Sequence, residues 1–193
     1  EGHHLGLAAD LGGRHPLAGE DPLLPEALDG GQRTAVDLLG EEDFYKYVQA
    51  FGFGRSTGID LAGEANYPLR LPDNNQWVVV DLATNSFGQG IAVTPIQMVM
   101  AIGAVANDGQ MMVPHVTQAI VDNGVQVGFR PTAYNNPVKP ETAQAMTQAL
   151  ALSLENESSL AIVPGYRMAG KTGTAQIPGD EGYLESKTNA LFI

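Results

Sequence analysis

Hydrophobic and polar positions follow no single rhythm along this chain. Across residues 1–37, Glu1 to Asp37, Gly, Pro, Leu and acidic residues mix without a period that survives two helical turns, which predicts a poorly ordered segment. From Glu41 the pattern changes. Glu41, Glu42 and Asp43 precede Phe44, Tyr47, Val48 and Phe51, an i, i+3, i+4, i+7 apolar stripe with acids on its first turn, and this predicts a helix stopped by Gly52. Glycines interleaved with apolar residues from Phe51 to Leu61 demand turns, and a structured loop is expected to follow as far as Asp73. Trp77 to Leu82 reads as a short helix reached through Asp73, Asn74 and Asn75, with a strand as the alternative. Thr94 at the N-cap and Pro95 at the first helical position open a buried helix through Ile96, Val99, Met100, Ile102 and Val105, ending near Asn107-Asp108-Gly109.

The second half of the chain mixes both periods. Met111 to Asp122 and Val125 to Arg130 flank Asn123-Gly124, a dipeptide suited to a tight hairpin turn, so a small β-ribbon is expected there. Lys139-Pro140-Glu141 starts an amphipathic helix whose Ala143, Met146, Leu150 and Leu154 recur at helical spacing up to about Asn156. Tyr166 to Ile177 is small and β-compatible, Pro178 to Gly182 reads as a Gly-rich turn, and Asn189 to Ile193 begins a second strand.

Composition narrows the function classes. A chain of 193 residues with 44% hydrophobic content can bury one core. Its formal charge of -12, with no Lys/Arg cluster, argues against nucleic acid as a partner, because phosphate contacts need concentrated basic side chains. The absence of cysteine removes disulfides and thiol chemistry, and four scattered histidines, His3-His4 included, offer no metal set; neither metal nor cofactor is expected. Met98 to Ala106, the best apolar run, is less than half the roughly 20 residues that span a bilayer, and the chain opens on Glu1 without a basic and apolar leader, so it is expected to be soluble as written.

Chemistry concentrates at Lys171-Thr172-Gly173-Thr174. Gly165 to Thr172 formally fits G-x-x-x-x-G-K-[ST], the loop that cradles nucleotide phosphates. Such a loop needs a buried strand before it and a helix beginning at the Lys-Thr. Here Pro164 precedes it, Gly173 follows at once and Pro178 comes soon after. Read as a strand, Lys171 and Gly173 share one face and Thr172 and Thr174 the other. A side-chain-free Gly173 lets another backbone lie close, and a hydroxyl near an ammonium suits a carboxylate. Those are requirements for gripping a peptide C-terminus by strand addition. An exposed strand with no ligand is the plain alternative.

Lys171-Thr172-Gly173-Thr174-Ala175-Gln176 resembles the third active-site motif of penicillin-binding proteins, the K-T-G that accompanies S-x-x-K and an S-x-N type motif. Phe51-Gly-Phe-Gly with Thr57-Gly-Ile-Asp-Leu and Gly63-Glu64, Ser86-Phe-Gly-Gln-Gly-Ile with Val93-Thr-Pro, Pro140-Glu-Thr-Ala, and Pro164-Gly-Tyr with Ala169-Gly-Lys171 occur in that family's order and spacing. The resemblance covers about Gly40 to Ile193 and points to the class B peptidoglycan D,D-transpeptidases. It implies an α+β fold, a partial transpeptidase domain over residues 38–193 with helices dominant and an incomplete antiparallel sheet. It further implies that Lys171 and the hydroxyls of Thr172 and Thr174 hold the terminal carboxylate of a peptidoglycan stem peptide or a β-lactam, with Gly173 leaving room. The Thr174 backbone N–H would supply half of an oxyanion hole. Its setting would be the extracytoplasmic face of the bacterial inner membrane, reached only through an upstream anchor.

The chain also departs from that pattern. The residues three after Ser56, Ser86, Ser153, Ser158, Ser159 and Ser186 are Ile59, Gln89, Asn156, Ala161, Ile162 and Asn189, so S-x-x-K is absent, and Ser86 is expected to be architectural. Ala27 and Asp29 stand near where S-x-N belongs, and Asn156-Glu-Ser-Ser159 replaces a Gly-Thr pair. Residues 1–37 resemble nothing in the family, which fits either a disrupted gene joined to an authentic downstream segment or a diverged, non-catalytic relative. The expectation is a transpeptidase by descent that retains the K-T-G strand without the serine nucleophile and is inactive alone. The alternatives are a non-catalytic binding module of the same fold or a phosphate-loop nucleotide binder. An unpaired sheet edge beside Lys171 would favour self-association.

Overall fold

The computed structural model describes residues 38–156, 161–179 and 182–193; the expectation of poor order over residues 1–37 lies outside them. Helix α1, Gly40–Ala50, carries Glu41, Glu42 and Asp43 on its first turn, where carboxylates oppose the exposed N–H groups. Its most buried residue is Tyr45, which lies off the stripe expected from Phe44, Tyr47, Val48 and Phe51. The reason is polar as well as apolar. The Tyr45 hydroxyl accepts from Trp77 Nε1 at 3.0 Å and from Asn85 Nδ2 at 2.8 Å, so the ring is drawn inward to join three segments. Burial raises its pKa above the ordinary tyrosine value.

Turns occupy residues 51–54, as the glycine spacing requires, and no regular element intervenes before α2, Val79–Ser86. A short helix was expected over Trp77 to Leu82; it starts two residues later, at Val79, and runs on to Ser86. Asn74 instead closes a turn, accepting from Trp77 N–H, and the helix opens at Val78, whose N–H donates to the Asp81 carboxylate at 3.0 Å. Helix α3, Pro95–Ala106, follows the sequence reading closely. Thr94 Oγ1 accepts from Gln97 N–H at 3.2 Å and Gln97 Oε1 from Thr94 N–H at 2.9 Å, a reciprocal cap that satisfies two otherwise orphaned donors.

Beyond α3 the expected ribbon divides. Strands β2, Ala119–Asp122, and β3, Val125–Gly128, form the Asn123-Gly124 hairpin, with φ of 48° and 78° at the two turn residues, the left-handed pair that a tight turn needs. The run from Met111 does not join it. β1, Met111–Met112, pairs antiparallel with β4, Ala133–Asn135, because Met111 is taken into the core with Met100 and Ala104, against Phe51 and Tyr134. Helix α4, Pro140–Asn156, packs on α3 with Ala143, Ala151 and Leu154 buried; Met146, expected on that face, is 39% exposed. Thr147 takes the inner position one residue on, its hydroxyl donating to Ala143 O at 3.0 Å.

The last elements are β5, Thr172–Gly179, and β6, Gly182–Phe192, an antiparallel pair registered from Thr172↔Phe192 to Gly179↔Gly182 with an irregularity between Gln176 and Pro178. Two expectations are corrected here. Residues 166–170 lie outside the strand, Lys171 joining its start only through backbone bonds to Ile193, and β6 begins at Gly182 rather than Asn189, with Gly182 paired to Gly179. The described residues are α+β, with helices dominant and the sheet in two-stranded pieces.

Candidate functional site

Lys171 N–H donates to Ile193 O at 2.9 Å and Ile193 N–H to Lys171 O at 3.2 Å, a closely spaced antiparallel pair that fixes the phase of the β5–β6 ladder. Such pairs recur at every second residue. Gly173 and Ala175 therefore face β6, opposite Leu191 and Asn189, and the backbone N–H and C=O of Thr172 and Thr174 point away from it. Among the described residues none is hydrogen-bonded to those outward groups. Lys171 through Thr174 are all exposed, and a Cβ built on Gly173 would meet nothing within 4 Å. The Lys171 ammonium donates to Thr172 Oγ1 at 3.4 Å, so a cation, a hydroxyl and an open backbone edge meet over three residues. The four residues picked from sequence are thus one contiguous surface.

Among the described residues no helix follows Lys171, and the chain from Thr172 to Gly179 is strand, which rules out the phosphate-loop reading. Residue 170 was not singled out as a close approach, yet a Cβ there would sit 2.7 Å from the Phe192 ring and 2.9 Å from Ile193 O. Only glycine lets the end of β6 close over the start of β5.

The other sequence motifs build the frame. Thr57, 2% exposed, donates its N–H and hydroxyl to Glu64 Oε1 at 2.6 and 2.7 Å. Burial alone would raise the Glu64 pKa, but the Thr57 hydroxyl and N–H outweigh it and hold the carboxyl below its usual range. Asp60 accepts from Val116 N–H at 2.8 Å and Thr117 N–H at 2.9 Å, clamping the loop to the strand-bearing segment. Hydrogen bonds from the Thr117 side chain and the Val116 N–H lower its pKa to about 2. Gln97 Nε2 donates to Arg55 O at 2.8 Å and ties the same loop to α3. A groove of about 600 Å³ opens beside this frame, lined by Leu61, Tyr67, Val93 and Ile96 among others, and none of residues 171–174 contributes to it.

Ser86 donates its hydroxyl to Ala83 O at 2.7 Å within α2, in keeping with an architectural part. The same motif reaches the site through Gln89, whose Oε1 accepts from Gln176 N–H at 3.1 Å. Sequence reasoning missed that link: the glycines flanking Gln89 were legible, but its partner lies 87 residues away.

A match to known families fits this geometry. The family described as penicillin binding protein transpeptidase domain covers residues 30–193. The chain belongs to that family. It is similar to Stage V sporulation protein D of Bacillus subtilis, 38% identical over 164 residues, 81% of this chain and 25% of that protein. Penicillin-binding protein PbpB of Mycobacterium tuberculosis is 35% identical over 148 residues, 72% of this chain and 21% of that one. Among solved structures, penicillin-binding protein 3 of Mycobacterium tuberculosis superposes with a TM-score of 0.69 at 32% identity, covering 78% of this chain and 36% of that one. This class B transpeptidase-domain chain therefore spans about a quarter of the length of the curated relatives it matches. Among the described residues no helix is long and apolar enough to cross a membrane, and no group of three His, Cys, Asp or Glu could hold a metal.

Proposed function

We propose that this chain carries the substrate-binding strand of a peptidoglycan D,D-transpeptidase, the part that grips a terminal carboxylate before acyl transfer. The observation that carries this reading is the open edge of Thr172 and Thr174 beside the Lys171 ammonium, in a chain of this family. A stem peptide adding to that edge would lay its carboxylate on the Lys171 ammonium and the Thr172 and Thr174 hydroxyls, contacts strengthened by charge. Gly173 adds no side chain to obstruct it. The outward Thr174 N–H would meet the oxygen that becomes negative when a serine attacks the carbonyl; removing one such donor costs about 2.7 to 4 kcal/mol of barrier. A β-lactam presents a carboxylate and a strained amide in the same relation. Solved complexes of the Mycobacterium tuberculosis relative with ampicillin and aztreonam support β-lactams as ligands for this chain.

Acyl transfer forms an ester between the substrate acyl group and a serine oxygen and expels the leaving amine, and it needs a base within reach of that serine. No serine of this chain has lysine three residues on, so the 193 residues hold a substrate strand without an S-x-x-K nucleophile. We place the activity in the cell envelope, at the extracytoplasmic face of the inner membrane. The test is intact mass after incubation with benzylpenicillin: the mass stays unchanged, and supplying an S-x-x-K segment with its strands produces a penicilloyl adduct that Lys171→Ala weakens. A stable adduct on the present chain contradicts the reading. The missing S-x-x-K also favours a second account, a non-catalytic binding module, under which the supplemented protein still binds but does not acylate.

A further inference from the structure

The open edge of β5 is short, and both features that shorten it lie outside the Lys-Thr-Gly-Thr motif. Outward-facing backbone groups recur at Thr172, Thr174, Gln176 and Pro178. The first two are open. The Gln176 N–H is already taken by Gln89 Oε1, and Pro178 has no N–H at all. Any strand added here can pair fully with Thr172 and Thr174, but beyond them β5 offers carbonyls without free N–H donors.

Gln89 is built into this position. It sits between Gly88 and Gly90, at φ of 87° and 77°, conformations that other residues rarely hold. A Cβ on Gly90 would lie 3.1 Å from Asn85 Oδ1, and the Gln89 N–H donates to Thr84 O at 3.0 Å, so the loop is folded back on α2. Its side-chain nitrogen is buried and has no hydrogen-bond partner among the described residues.

We infer that Gln89 is a positioning residue that ends the substrate ladder on β5, limiting recognition to the last two or three residues of an extended peptide whose carboxylate lies at Lys171. An antiparallel peptide runs with its C-terminus toward Lys171 and its upstream residues toward Gln176. Because the Gln89 side chain occupies the outward side of the Gln176 N–H, where the peptide backbone would run, upstream residues of the donor leave the sheet at Gln176, which lets one edge accept peptides that differ upstream while still fixing the terminal pair. The inference rests on the carboxylate-site reading for its ligand, but the Gln89–Gln176 bond can be judged without it.

Amide hydrogen exchange followed by NMR on the full chain tests it, using wild type, Gln89→Met and Gln89→Glu, with unchanged α3 and α4 amides as the check on folding. Gln89→Met removes the acceptor at similar length. Gln176 exchange should then rise roughly fivefold to tenfold, the ratio corresponding to one hydrogen bond of ordinary net strength. Gln89→Glu keeps an acceptor oxygen and should restore protection. With N-acetyl-L-Lys-D-Ala-D-Ala as probe, wild type gains protection at Thr172 and Thr174 and none at Gln176. An unchanged Gln176 rate in Gln89→Met overturns the inference, as does peptide-induced protection at Gln176 in wild type. If Gln176 responds to both substitutions but the probe protects neither threonine, the cap stands and the carboxylate-site reading falls.

Discussion

Replacing Gln97 probes how far the frame depends on one side chain. Gln97 is 2% exposed and makes three contacts: its N–H is capped by Thr94, its Oε1 caps Thr94 N–H, and its Nε2 reaches Arg55 O. In Gln97→Ala the buried Thr94 N–H is stranded, costing about 1 to 3 kcal/mol, and the Arg55 bond adds about 0.5 to 1.5 kcal/mol. Arg55 is exposed, so its carbonyl recovers water and the sum should settle at about 2 to 4 kcal/mol. At about 3 °C per kcal/mol for a domain of this size, Tm falls by about 6 to 12 °C in calorimetry. Gln97→Glu sharpens the test. Its carboxylate still accepts from Thr94 but has no proton for Arg55 O, so folding raises the pKa of the introduced carboxyl, and stability should recover as pH falls through that raised value. A Gln97→Ala protein within about 0.5 kcal/mol of wild type, or a Gln97→Glu protein without that recovery, would show that the link between loop and helix carries no energy.

Acid should act through Asp60. Its folded pKa of about 2 lies below the ordinary 3.8, so its contribution is complete above that ordinary value and is lost as pH falls through about 2. Denaturant midpoints between pH 5 and 2 should show this component in wild type and not in Asp60→Asn; identical profiles would contradict the clamp. The Thr172–Thr174 edge should also pair between copies at high concentration, producing a dimer in sedimentation equilibrium that Thr174→Pro, which removes an outward N–H, disperses. A monomer at all concentrations would count against that edge being available.

Legibility from sequence followed the range of the interaction. The Thr94-Pro95 start of α3 and the Asn123-Gly124 turn are decided within four residues, and both stand where the sequence puts them. The strand from Thr172 was legible because strand period is local, whereas Lys171 to Thr174 were singled out by the family resemblance rather than by that period. What escaped was set by distant partners. Met111 leaves the hairpin for a core made by Met100 and Ala104, and Tyr45 is turned inward by Trp77 and Asn85, 32 and 40 residues away. The length of β6 follows from pairing with β5, since Glu185 to Thr188 has little strand character of its own. Gln89 shows the same limit at the site: its glycine neighbours mark a constrained loop but cannot name the backbone it caps.

The central claim is that Lys171 and the Thr172–Thr174 edge form a carboxylate site, and one titration addresses it most directly. Backbone amide shifts of the full chain would be followed as N-acetyl-L-Lys-D-Ala-D-Ala is added, against the same peptide ending in a carboxamide and against Lys171→Ala. The account predicts shifts confined to Lys171 through Thr174 and their β6 neighbours for the free acid, with a loss of roughly tenfold or more in affinity for the carboxamide and for Lys171→Ala, as expected when a charge-assisted hydrogen bond of about 1.5 to 3 kcal/mol is removed. Equal binding of acid and carboxamide, or shifts that map to the groove beside Leu61 and Tyr67 instead, would contradict it.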